Sequence, residues 1–111
     1  MKMIVAVVRP ERFQAVKDGL SGVGVCGMTI THVTGRGKQR GLVFTTRVGE
    51  FIVDEMEKVK LEIVVDDGQV DDVIASIREN ADTGHPGDGR IFIVPVLESI
   101  RIRSEPGSEG Q

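Results

Sequence analysis

Three runs rich in aliphatic residues, 3–8, 59–65 (with Lys60 and Glu62 interleaved) and 91–96, constrain this chain more than any other feature. Each is short, rich in β-branched residues and bounded by polar or turn-forming residues, so each reads as a buried strand. After the first run, Phe13, Val16, Leu20 and Val23 recur at helical spacing. Pro10 fits the first helical position, Glu11 the first turn, and Gly22 and Gly24 the stop. After the second run, Val70, Val73, Ile74, Ile77 and Ala81 share one helical face, with Asp67 or Gly68 as its cap. Alternation in Met28-Thr29-Ile30-Thr31 places a further strand within residues 25–33, which would pair with 59–65 as a long hairpin. Residues 98–103, ESIRIR, alternate strictly and predict a short final strand.

The order β-α-β-β-α-β, with a short extra C-terminal strand, matches the α+β ferredoxin-like arrangement. Such a sheet carries helices on one face only. Its other face, made of aliphatic strands, needs cover, and a homo-oligomer is the expected cover.

A length of 111 residues makes one domain, 1–111. Four Phe and no Trp or Tyr leave an aliphatic core and almost nothing on which a nucleic-acid base could stack. The net charge of −3 also argues against a nucleic-acid surface. One cysteine, Cys26, excludes an internal disulfide, fits a reducing compartment and is expected as a small buried apolar residue. With His32 and His85 it makes too few ligands for a structural zinc site. The opening MKMIVAVVRP lacks a cleavage signature, and no stretch approaches the roughly 20 apolar residues of a membrane span. A cytoplasmic protein is expected.

Residues 34–57 change character. GRGKQRG brings three glycines and three cations, and FTTRVGEFIVDEMEK follows without a clean period. Loops this long inside small domains are usually functional or disordered. The acidic residues Glu50, Asp54, Glu55 and Glu57 read as a solvated face, Lys58 and Lys60 as surface lysines, and His32 as a packed or surface histidine. The tail from about 104 to 111 is polar and rich in Gly, Ser and Pro, hence expected to be mobile.

TGHPGDGRIFIVPV, residues 83–96, poses the functional question. Gly84 and Gly89-Arg90-Ile91 fall just short of a P-loop pattern, and the context is reversed, since a helix precedes the loop and a strand follows it. Closely spaced glycines still let backbone N–H groups converge on an anion, with Arg90 as a clamp. The alternative is a helix C-cap with Gly84 at the cap and a plain turn. Arg101 and Arg103 share a strand face; alone they read as solvated, and with Arg90 they outline a polyphosphate site. No Ser/His/Asp or Cys/His pairing suggests a nucleophile. An acylphosphatase-like hydrolase would need a glycine-rich phosphate turn after the first strand, and VRPERF offers none. No enzymatic activity is expected.

VRPERFQAVKDGL, GMTITHVTGRGKQRG, EFIVDEMEKVKLEIVV, TGHPGDGRIFIVPV and IRIR, taken in order, resemble the PII nitrogen-regulatory signal proteins over residues 1–103. The run TG-x-x-GDG-[KR]-IF is the most specific part. The resemblance implies a homotrimer with ATP or ADP in clefts between neighbours, a B-loop at about 82–90 and a T-loop at about 36–55. By position, the backbone of Gly87, Asp88 and Gly89 and the side chain of Arg90 would hold phosphates, with Arg101 and Arg103 adding charge. Thr29, Glu62 and Val64 would recognise adenine and ribose, and Gly27, Met28, Gly35, Gly37 and Lys38 would line the nucleotide site. Mg-ATP would create a site for 2-oxoglutarate, with Gln39 on Mg²⁺, Lys58 on a carboxylate, and Arg40 and Gly41 among the backbone donors. Oxygen ligands of this kind suit Mg²⁺.

The same resemblance implies a T-loop switch read by an ammonium transporter or a nitrogen-metabolism enzyme, with Arg47 retained as the residue that enters a channel mouth. Membrane contact would be indirect, through that transporter. Departures are visible too. The modifiable tyrosine of the family falls at Phe51, the serine phosphorylated in some relatives at Gly49, and the usual proline before Lys58 at Glu57, where a carboxylate is expected to compete for the lysine. An adenine-nucleotide sensor that has lost 2-oxoglutarate is therefore the alternative reading.

Overall fold

A computed structural model describes residues 1–36, 42–53 and 55–104, with the backbone alone for 42–46 and 50–53. The elements are β1 (Lys2–Val8), α1 (Phe13–Gly22), β2 (Thr29–Gly35), β3 (Leu42–Thr46), β4 (Gly49–Val53), β5 (Met56–Val65), α2 (Val70–Ala81) and β6 (Gly89–Pro95). Four strands form one antiparallel sheet in the order β2-β5-β1-β6, which is the ferredoxin-like arrangement. The expected long hairpin is β2 against β5, with Thr29 opposite Glu62 and Gly35 opposite Met56.

Register sorts the side chains. Ile4, Ala6 and Val8 lie opposite Ile63, Leu61 and Val59 on β5, and all six are buried. Val16 and Leu20 of α1 and Val73 and Ile77 of α2 cover them, at 0–1 % exposure. Truncating one such aliphatic side chain costs about 2–5 kcal/mol. The opposite face is open. It presents Met3, Val5 and Val7, then Phe92 and Val94 of β6, and Lys60 and Glu62 of β5.

Pro10 opens a 3-10 turn, Pro10–Arg12, that leads into α1. The cap of the second helical segment is Asp66 rather than Asp67 or Gly68, and its amide donates to Gln69 Oε1 at 3.1 Å. Asp67 instead receives the terminal amine at 2.7 Å and lies 3.4 Å from Lys2 Nζ.

Three expectations are corrected. Residues 98–103 form no strand in the single chain. Alternation sets which way side chains point, but a strand also needs a backbone partner, and Ile100 and Ile102 stand 78 % and 105 % exposed. Cys26 is exposed, while its neighbour Val25 is the buried residue of the α1–β2 connection. The stretch read as lacking a period contains a hairpin, β3 with β4, in which Thr46 pairs with Gly49 across Arg47-Val48. Gly49 has φ +131°, which favours glycine there. The expected mobile tail, 105–111, lies outside the described residues, as do 37–41 and 54.

Candidate functional site

Residues 82–88 connect α2 to β6, and the loop is tied from behind. Asp82, not Gly84, caps α2; Gly84 follows with φ +78°, its amide on Asp82 Oδ1 at 2.8 Å. The Asp88 carboxylate turns back into the loop. It accepts the Thr83 amide at 2.7 Å and the Thr83 hydroxyl, and Arg9 Nε donates to it at 2.9 Å. The Thr83 hydroxyl above all, then the Thr83 amide and Arg9, outweigh desolvation and hold the Asp88 carboxyl well below the usual carboxylate range. The same guanidinium donates through Nη2 to the Pro86 carbonyl at 2.6 Å.

Lys58, 7 % exposed, reaches across from β5 and donates to the Gly87 carbonyl. Burial, then the neighbouring Arg9, pushes its pKa below the usual lysine range, against the opposing pull of Asp88 and Glu11. Glu57 is exposed and points to the other face, as strand neighbours must. In this structure Lys58 is engaged with Gly87 rather than with Glu57. Gly35 packs on the Lys58 stem, where an added Cβ would lie 3.1 Å from Cγ. Gly87 has φ +91°, a conformation that strains any side chain, and an added Cβ would also fall 3.1 Å from Met56 Cε and 3.2 Å from Arg9 Nη2, so both would have to shift.

Gly87, Asp88, Lys58 and Gly35 thus meet at one end of the sheet, and Gly89 and exposed Arg90 continue from the loop into β6. Thr29, Glu62 and Val64 lie towards the other end. Glu62 is four residues from Lys58 along β5, roughly 13 Å, and it pairs with Lys60 at 3.8 Å. Met28 packs against the core, and Gly27 precedes it in the connection to β2. Arg101 has one buried guanidinium nitrogen, Nη2, without a hydrogen-bond partner among the described residues. Arg47 is exposed in the β3–β4 turn and Phe51 lies on β4, while Gly37, Lys38, Gln39, Arg40 and Gly41 lie outside the described residues. Beside the loop, α2 and the free edge of β6 flank a groove of about 370 Å³ lined by Ile74, Ile77, Ala81, Ile91 and Ile93.

Sequence reasoning missed Arg9 and Thr83. The available signal was positional: β1 and β6 pair with Val8 opposite Gly89, so the residue after Val8 faces the loop before Gly89.

The family model described as Nitrogen regulatory protein P-II matches residues 1–106. This chain belongs to the P-II family. It is 47 % identical over 104 residues to Nitrogen regulatory protein P-II 2 of Methanothermobacter thermautotrophicus, covering 94 % of this chain and 90 % of that one. It is 47 % identical over 109 residues to the P-II protein of Pasteurella multocida, covering 98 % and 97 %. The P-II protein of Haemophilus influenzae is 46 % identical over 109 residues, with the same coverage. The tied loop falls in the segment expected from the sequence as a B-loop, and β3–β4 falls in the segment expected as a T-loop. No helix among the described residues is long and apolar enough to cross a membrane.

Proposed function

We propose that this P-II chain is a nitrogen-regulatory switch, not an enzyme, that binds ATP or ADP at the B-loop of one subunit and a cleft completed by the next. The observation that carries this reading is the B-loop itself. Its carboxylate and two of its carbonyls are satisfied internally, by Arg9, Thr83 and Lys58. The amides of Gly87 and Asp88 therefore face away, as an anion site requires. Arg90 and the unpartnered Nη2 of Arg101 supply cationic donors that suit phosphate.

A homotrimer fits the exposed apolar residues Phe92, Leu97, Ile100 and Ile102, which no single chain covers. The distance between Lys58 and the Glu62–Val64 end of β5 also favours clefts shared between subunits. In this reading Thr29, Glu62 and Val64 hold adenosine. Mg²⁺ is held by ATP and Gln39, and 2-oxoglutarate by Lys58 and the backbone of residues 37–41. The effector draws Lys58 from the Gly87 carbonyl and resets the T-loop. An ammonium transporter or a nitrogen-metabolism enzyme then reads the loop through Arg47, in the cytoplasm, and any membrane contact is made through the transporter.

Calorimetric titration of 2-oxoglutarate with Mg²⁺, once with ATP and once with ADP, tests the proposal. Binding with ATP alone is expected. Nucleotide binding without 2-oxoglutarate in either case would leave an adenine-nucleotide sensor, and no nucleotide binding would sink the proposal.

A further inference from the structure

The B-loop contains no cis peptide, and in a trans peptide the carbonyl and the next amide point in opposite directions. Arg9 Nη2 holds the Pro86 carbonyl at 2.6 Å, so the amide of Gly87 is turned away from Arg9. Lys58 holds the Gly87 carbonyl, which turns the amide of Asp88 the same way. The sign of φ alternates along Gly87 at +91°, Asp88, which is not positive, and Gly89 at +115°.

Arg9 does two jobs with one rigid plane. Its Nη2 fixes Pro86, and its Nε fixes the carboxylate of Asp88 two residues on, at 2.9 Å. The Arg9 side chain is 15 % exposed, and Asp88 in turn anchors the amide and hydroxyl of Thr83. A lysine at position 9 would keep the charge but lose the fork, because an ammonium is a point donor on a flexible stem.

We infer that Arg9 is a positioning residue for the anion-binding loop: it orients the outward amides through Pro86 and Asp88 without touching the ligand. The inference rests on the nucleotide reading above. It assigns the loop's specificity for phosphate to a side chain that leaves β1 on the far side of that loop.

The test compares Arg9→Lys with the wild type by calorimetry, using Mg-ATP and adenosine as separate probes. Arg9→Gln serves as a second variant, and a thermal melt of each variant checks folding. Loss of one charge-assisted contact predicts about a 10- to 100-fold weaker ATP affinity in Arg9→Lys, while adenosine affinity is unchanged. Two results overturn the inference alone: ATP bound by Arg9→Lys as by the wild type, or ATP and adenosine weakened equally in a folded variant. A wild type that binds no ATP overturns the nucleotide reading and the inference together.

Discussion

Two segments flank β6, and they are finished to different degrees. The B-loop before the strand has its carboxylates, carbonyls and hydroxyl engaged by Arg9, Lys58 and its own amides. The segment after the strand leaves Leu97 99 % and Ile102 105 % exposed, and carries a buried Arg101 nitrogen without a partner among the described residues. One segment needs only its own chain to hold its shape. The other leaves large apolar side chains that its own chain does not cover. The contrast separates the part of the fold that its own chain closes from the part that its own chain leaves open.

The largest effect should come from breaking the finished side. Gly89 has φ +115°, and a side chain there would place Cβ 1.7 Å from the Val7 carbonyl oxygen. Gly89→Val is expected to destabilise the chain by about 3 kcal/mol or more, read from denaturant unfolding; a normal midpoint would mean that the loop is not tied as described. The next effect belongs to the unfinished side. Ile100→Asp combined with Ile102→Asp should lower the sedimentation coefficient from that of an oligomer to that of one chain, with intrachain helicity retained. An oligomer that survives both charges would move the interface elsewhere.

A smaller effect is expected at Asp88. Asp88→Asn removes the charge from a partly exposed clasp and should cost about 1 kcal/mol. Its pH dependence has a definite sign. The Asp88 pKa is depressed on folding, so its contribution is full above the ordinary carboxylate range and is lost as pH falls through the lower folded value. Protection of the Thr83 amide from hydrogen exchange should therefore persist below pH 4, where other carboxylate-dependent amides lose theirs. The smallest effect is a control. Gly22 ends α1 with nothing within 4 Å of an added Cβ, so Gly22→Ala should stabilise by about 0.5 kcal/mol.

Most of the fold was legible because it is carried by periodicity. The β-branched runs gave β1, β5 and β6 to within three residues, and the spacing of Val16, Leu20, Val73 and Ile77 gave both helices their buried faces. What escaped depended on pairing or on distance along the chain. The β3–β4 hairpin turns on Arg47-Val48 ahead of Gly49, not on the Asn-Gly or Asp-Gly pair that announces a tight turn. Residues 98–103 had the alternation but no strand among the described residues to pair with. At the site, glycine spacing marked the B-loop, yet Arg9 and Asp88 are 79 residues apart, and only the β1–β6 register brings them together.

Lys58 has a consequence for how a signal would be counted. One ammonium group, already displaced from its ordinary protonation range by burial, serves as the donor to Gly87 and, in the proposed switch, to an incoming carboxylate. Its three N–H donors would have to be divided between two acceptors from one stem. Transfer of that one group would be felt at the Gly87–Asp88 peptide whether or not any strand moved. Information about an organic acid would then reach the nucleotide loop as an exchange of a single donor between two claimants, with the sheet as a fixed frame.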